Sequence, residues 1–319
     1  MSSILMMGSE SIKNRFNIQS LGETNMVQSI DAALITEFSA LVHQVAQQKT
    51  SRLKPYSIMK QMQGDVFAYD GLGRVEAREV TGRNVPATFD DITHNRRKIS
   101  RRRFVVNLPV DASDVRGALL NPDSEYAEAC ANAMMRQYDR VIYDAAFASV
   151  LTGRDFETTV TAANDGVVTV DATAGLTYEK LLEIKQNFMD RDVGVDASEN
   201  MFLTITGDEH TDLMSEIELT SGDYTRQFAI EKGNIQEALG IKLIPFADSV
   251  TNPIIPTASA ERALIAASSR GFCVGVSKEM SVKIMERSDY IETHQVQVLM
   301  EIGAVRTEGA LVQKVRVTA

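Results

Sequence analysis

Val27, Ile30, Leu34, Phe38, Leu41 and Val45 recur at steps of three and four, which predicts a helix from about Asn25 to Gln48. Residues 1–25 ahead of it are polar with no such period and read as a mobile arm. From 52 to 110 the helical period disappears. Val66–Tyr69, the glycine-bearing Asp70–Gly73 and Val75–Val80 read as strand, turn and strand. Gly82 and Pro86 interrupt the pattern, and a further strand is expected over Arg103–Val110. A long hairpin with few large apolar residues does not hold itself together in water, so this stretch reads as a projecting arm that needs a surface to lie on.

Asn121-Pro122 then opens the strongest element. Asn is a good N-cap, Pro suits the first helical position, and Asp123 and Glu125 favour the positive helix end. A stripe from Tyr126 through Cys130, Met134, Tyr138, Val141 and Ile142 to Val150 predicts a helix to about Leu151, roughly 43 Å long at 1.5 Å per residue. Residues 155–174 suit strand or loop, with a turn at Asn164-Asp-Gly166. A helix is predicted at Thr177–Asp190, a strand at Met201–Thr206, and a short helix from Asp208. Residues 219–235 read as loop. A short helix ending at Gly240 and the strand Ile241–Phe246 follow, and Ala263–Ala267 and Gly271–Val276 are short apolar segments. Together these pieces suggest a compact α/β unit. At the C-terminus Val296, Val298, Met300, Ile302 and Ala304 alternate with other residues at period two, and Glu292–Ala304 would span about 43 Å as a strand. Ser281–Met285 and Ala310–Thr318 are expected to flank it. Long helix and long strand match in length, which implies that they pack on each other, with the α/β unit inserted between them in sequence.

Charge changes this picture more than composition does. The 319 residues carry ordinary hydrophobic (44%) and charged (24%) fractions and a net charge of −10. Between Arg52 and Arg103, however, twelve Lys and Arg face six acids, so the segment is +6 and the remainder −16. Such asymmetry steers association and fixes register. The expected inter-subunit contacts are therefore Arg74, Arg78, Arg83, Arg96, Arg97, Lys98, Arg101, Arg102 and Arg103. No window approaches the roughly 18 apolar residues of a membrane helix, and the N-terminus lacks the charged lead of a secretory signal.

Candidate chemistry is sparse. Thr206-Gly-Asp-Glu-His-Thr-Asp212 gathers Asp208, Glu209, His210 and Asp212, a conceivable metal site. It lacks a ligand spacing, and two acids in a first helical turn answer the amide groups there equally well. Cys130 and Cys273 fit no metal or disulfide pattern and read as small buried hydrophobes. His43, His94 and His294 are isolated, and no phosphate loop, nucleophile elbow or carboxylate pair is found. No catalytic, cofactor or metal residues are assigned. Arg96-Arg-Lys-Ile-Ser-Arg-Arg-Arg103 would suit phosphates, but the acidic remainder and the absence of a nucleic-acid module favour a protein partner.

The order of elements resembles the Hong Kong 97-type capsid fold of tailed-phage major capsid proteins. Phe104-Val-Val-Asn-Leu-Pro-Val-Asp-Ala-Ser-Asp-Val-Arg116 and Tyr126-Ala-Glu-Ala-Cys-Ala-Asn-Ala-Met-Met-Arg-Gln-Tyr-Asp-Arg140 look like the lead-in and spine helix of that family, and Leu239-Gly-Ile-Lys-Leu-Ile-Pro-Phe246 resembles the strand crossing its axial domain. The resemblance implies an α+β fold: an N-terminal arm (1–50), an extended loop (51–110), a peripheral domain with the spine helix (111–154), an inserted axial domain (155–277) and peripheral C-terminal strands (278–319). It also implies a virion shell subunit, assembled in the host cytoplasm. Copies would form hexamers and pentamers of an icosahedral head enclosing DNA, with portal and decoration proteins as partners. No fused scaffolding region precedes the arm, so a separate scaffolding protein is expected. An encapsulin-type compartment shell, a nucleic-acid-binding protein using 96–103, and a metal enzyme using Asp208 and His210 are the alternatives.

Overall fold

The structure is a computed structural model that describes residues 47–79, 81–82, 89–111, 123–194, 200–216, 235–248, 252–258, 260–287 and 293–318. The helix expected at 25–48 falls almost wholly outside them. In chain order the described elements begin with β1 (Ile58–Gln61), β2 (Val66–Leu72), β3 (His94–Ser100) and β4 (Arg102–Asp111). Then come α1 (Asp123–Phe147), β5 (Val150–Thr152), β6 (Thr158–Val160), β7 (Val168–Ala172), α2 (Tyr178–Met189), β8 (Met201–Ile205) and α3 (Gly207–Ser215). The last third holds β9 (Glu237–Ala238), β10 (Ile241–Pro245), β11 (Thr257–Ala258), β12 (Glu261–Ser268), β13 (Phe272–Arg287), β14 (Thr293–Arg306) and β15 (Val312–Thr318).

Three sheets organise them. The first runs β1-β13-β14-β4, the second β7-β15-β12-β8-β10-β9 with β11 on β12, and the third β2-β3-β5-β6. The expected packing of long helix on long strand is present. Met134, Tyr138, Val141 and Ile142 of α1 share one core with Val296, Val298, Met300 and Ile302 of β14, and α1 also touches β13 and β4. Each fully buried side chain of this size stabilises by about 1.5–3 kcal/mol. That burial explains why β14 reads as period two yet is covered on both faces for most of its length. The same core runs on into the second sheet, where Leu181, Ile184 and Phe188 of α2 are fully buried.

Several expectations are corrected. The returning strand of the arm is β3, not 75–80: β2 pairs antiparallel with β3 from Val66↔Ser100 to Leu72↔His94, and residues 73–79 form no strand. The turn expected at Asp70–Gly73 lies inside and beside this ladder. At Gly73 the opposite segment passes so close that a Cβ there would collide with Thr93. α1 stops at Phe147, so its 25 residues span about 38 Å, and Val150–Thr152 becomes a strand on the arm's sheet. The short helix expected before Gly240 is a tight hairpin instead. Leu239 and Gly240 have φ of 54° and 76°, the two positive values that a two-residue turn between β9 and β10 requires.

The C-terminal part differs too. Gly271–Val276 and Ser281–Met285 are not separate segments but parts of β13, a single 16-residue strand, and a boundary at 277/278 cuts through it. β15 does not flank β14. It inserts between β12 (antiparallel) and β7 (parallel) in the second sheet, where its alternate residues Gln313, Val315 and Val317 are buried.

β14 approaches the arm so closely that a Cβ at Gly303 would collide with the Ser100 carbonyl oxygen. Gly303→Ala should therefore destabilise the fold by about 1–3 kcal/mol, read as a lowered midpoint in thermal unfolding. An unchanged midpoint would show that this approach is not tight.

Candidate assembly interface

The candidate site is the arm and the surfaces it leaves open. Its root is a buried ion cluster. Arg97 of β3 donates to both carboxylate oxygens of Asp165, from Nη1 at 2.8 Å and Nη2 at 2.6 Å, and Nη1 also reaches the Arg306 carbonyl at 3.1 Å. Arg306, at the end of β14, donates from Nε to Asp165 at 2.7 Å and from Nη1 to the carbonyls of Ala146 and Ala148 at the end of α1. Arg97 is 2% exposed and Arg306 fully buried. Burial alone would raise the Asp165 pKa, but hydrogen bonds from Arg97 and Arg306 and their charges outweigh it and hold it below its ordinary value. A small apolar cluster of Met62, Ile99, Val150, Cys273 and Val305 packs beside this root, with Phe67 and Tyr69 against it.

A second anchor lies on α1. The fully buried Asp139 accepts backbone N–H bonds from Arg52 and Leu53, each at 3.0 Å, and side-chain bonds from Gln48 and Ser51. It fastens the segment that leads into the arm, since four donors on one carboxylate satisfy it without a counter-ion.

Six of the nine cations expected to make contacts are matched inside the chain. Arg96 pairs with Asp70 at 2.7 Å, Arg78 with Asp90, and Arg74 with Asp192 at 3.6 Å. Arg101 bridges Asp65 and Glu301, and Arg103 pairs with Glu301 directly across the β4–β14 ladder at 2.7 Å. The hydrogen bond from Arg103, with the charges of Arg103 and Arg101, holds Glu301 below its ordinary pKa against partial desolvation. Lys98 and Arg102 have no partner among the described residues, and Arg83 lies outside them. Among the described expected contacts Arg97 alone is buried.

The Thr206–Asp212 cluster caps α3. The Glu209 carboxylate accepts the Thr206 N–H at 2.7 Å, and the buried Arg262 donates to Asp208, Glu209 and Asp248. His210 accepts the Ile235 N–H at 3.3 Å, which leaves it facing backbone. Cys130 and Cys273 are free and buried, and burial pushes the Cys273 thiol up to about 11.

Between α1 and β4 a groove of about 320 Å³ is lined by Phe104, Val106, Ala133, Met134, Arg136 and Arg140 among others. Arg136 donates to Gln47 Oε1 and the Gln48 carbonyl, and Arg140 to Gln137 Oε1 and the Asn252 carbonyl. Among the described residues both donate only to neutral acceptors. On the arm Phe89 is 95% exposed, and Leu72, Val75 and Ile92 are exposed as well.

Sequence reasoning missed Asp165, Arg306, Asp139 and Phe89. Asp165 was legible only as a turn residue, for its partners lie 68 and 141 positions away. A lone Arg306 closing the apolar run of β14 was the one available sign.

Residues 30–318 match the family model described as phage capsid protein. No curated protein matches the sequence. The fold is similar to the capsid of cyanophage P-SCSP1u at a TM-score of 0.67, with 11% identity over 92% of this chain and 99% of that one. It is similar to the structure of Mycobacterium phage Che8 at 0.65, with 13% identity over 88% and 96%. Cyanophage Pam1 capsid gives 0.65, with 12% identity over 94% and 99%. At these identities the likeness is one of fold.

Asp165 supplies a pH test. Its folded pKa is depressed, so the stability it contributes is present above its unfolded value of about 3.9 and is lost as pH falls through the folded pKa. Asp165→Asn should cost about 3–5 kcal/mol near pH 7 by leaving two arginines buried without a counter-charge. The gap between wild type and variant in denaturant unfolding should narrow as pH drops below about 4. A gap that stays constant across that range contradicts the assigned charge.

Proposed function

The chain belongs to the phage capsid protein family, and from that premise we propose that it is the major capsid protein of a tailed phage, building the icosahedral head around double-stranded DNA. The observation that carries the reading is the family match over 30–318, joined to a fold that resembles phage capsids over nearly its whole length. In this reading α1 is the spine helix, the first sheet is the core of the peripheral domain, and the second sheet is the axial domain, to which β15 returns. Copies meet as hexamers and pentamers, and avidity around closed rings makes individually weak contacts stable together.

The arm is the part that reaches a neighbour. Six of the nine expected contact cations are matched in cis, so among the described ones Lys98 and Arg102 carry the positive charge left for an acidic neighbour. Arg74, Arg78, Arg96, Arg101 and Arg103 join that contact by sharing their carboxylates with those of a second copy. A nucleic-acid role for 96–103 loses its support, because carboxylates already neutralise four of its six cations. No catalytic step belongs to this reading. A separate scaffolding protein, a portal and a decoration protein are the further partners, and the shell assembles in the host cytoplasm before it becomes the virion.

Purified protein, alone or with its scaffold, should form closed particles in electron micrographs. A monomer or dimer under every condition would sink the proposal. Lys98→Glu with Arg102→Glu should reduce the yield of particles while thermal unfolding of the subunit moves by no more than about 0.5 kcal/mol, as for surface changes. Normal particle yield from that double variant would remove these two residues from the contact.

A further inference from the structure

We propose that residues 48–56 form a clasp over the seam between the first and second sheets, and that this clasp sets the angle between those two bodies of the subunit. Its consequence for the shell rests on the capsid reading; the clasp itself does not. α1 packs mainly on the first sheet, through β14, β13 and β4. Near its C-terminal end it also meets the second sheet. There the Tyr143 hydroxyl donates to the Ala263 carbonyl of β12 at 2.8 Å, and Lys314 of β15 lies 5.4 Å over the Phe147 ring. Contacts gathered at one end of a helix act as a pivot, and a fixture farther across the sheet is needed to stop the turn. β8 and β10 lie beyond β12 in that sheet.

The segment supplies the fixture. On its α1 side the buried Asp139 accepts the N–H groups of Arg52 and Leu53 at 3.0 Å each, with side-chain bonds from Gln48 and Ser51. Lys54 Nζ lies 5.7 Å over the ring of the adjacent Tyr138. On the other side the Tyr56 ring stands 5.0 Å from Phe202 of β8, and Lys242 of β10 lies 6.0 Å over Tyr56. Arg52 sits 5.5 Å from the centre of the Phe246 ring and donates to the Pro245 carbonyl at the end of β10. Phe202 is in turn 6.4 Å from Phe272, the first residue of β13, so Tyr56 extends a row of rings that crosses from the second sheet to the first. The chain then enters β1, which pairs with β13 at Cys273–Val276. Between the two sides Leu53 is 1% exposed, sunk in the core that both sheets share. One short run of chain thus grips α1, the second sheet and the first. Rings and cation–π pairs fix orientation as well as burying area, which is what an angle needs.

In a closed shell of identical tiles, the angle between the two parts of each tile sets the curvature, and a loose angle gives shells of mixed size. Hydrogen exchange on the unassembled subunit tests the clasp. The Arg52 and Leu53 amides should exchange as slowly as those of the β12–β15 ladder, because they open only with the core. Exchange at the rate of an open loop overturns the clasp. Arg52→Ala with Tyr56→Leu removes the grip on the second sheet and leaves the backbone bonds to Asp139. It should unfold cooperatively and keep those two amides within about tenfold of their wild-type rates, the weight of roughly one hydrogen bond. Assembled as the wild type is, it should give particles of mixed diameter or open shells where the wild type gives one diameter class. Arg52→Ala alone, which removes no ring, should widen the distribution in the same sense. A single diameter class from both variants removes the angle-setting role and leaves the capsid reading standing. If the wild type forms no particles, the capsid reading fails, and the exchange rates still decide the clasp.

Discussion

One carboxylate between two buried guanidinium groups fixes where the arm leaves the body. Asp165 takes hydrogen bonds from Arg97 on the arm and Arg306 on the longest core pairing, and Arg306 also closes the end of α1 through the Ala146 and Ala148 carbonyls. The cluster carries one excess positive charge, and the negative end of the helix macrodipole lies where that excess is buried. Burying three charges is expensive, and an apolar triad of equal volume would serve stability as well. What the charged version adds is direction. Bidentate geometry admits one orientation of β3 against β14, where a greasy contact would tolerate several.

That constraint sets the behaviour of everything outward of it. The β2–β3 ladder is held at Arg97 and, through Gly303, at close backbone contact, so the arm projects from a fixed root. Beyond Leu72 and His94 the ladder ends, and residues 73–79 and 89–93 have no regular structure. The described part of the arm is therefore regular at its root and irregular beyond it.

The large features of the fold were legible because their signals are local and periodic. The stripe of α1, the period of β14 and the acids in the first turn of α3 each arise within one element, and each element forms near where its pattern stands. The failures share one physical cause. Residues 75–80 alternate like a strand, but pairing chose 94–100, whose cations find Asp70 and Asp165 across space. Leu239-Gly240 looks like a helix end, yet both residues sit at positive φ because β9 and β10 pair. β15 is indistinguishable in pattern from a strand beside β14, and only the open slot between β7 and β12 decides its sheet. Choice of partner is a tertiary matter that no window of sequence encodes.

Net charge was the most misleading signal, and for an instructive reason. The +6 of residues 52–103 is a sum over groups that never act together. Arg97, Arg101 and Arg103 are neutralised by Asp165 and Glu301, which lie far along the chain and count on the acidic side of the ledger. Coulomb attraction at a few ångströms in a partly buried site exceeds the long-range field of the same charges in screened solvent, so near pairs form first and cancel the field. An arm that is +6 by composition thus carries, among its described residues, unmatched groups of both signs: Lys98 and Arg102 near the root, and Glu76, Glu79 and Asp91 beyond the β2–β3 ladder.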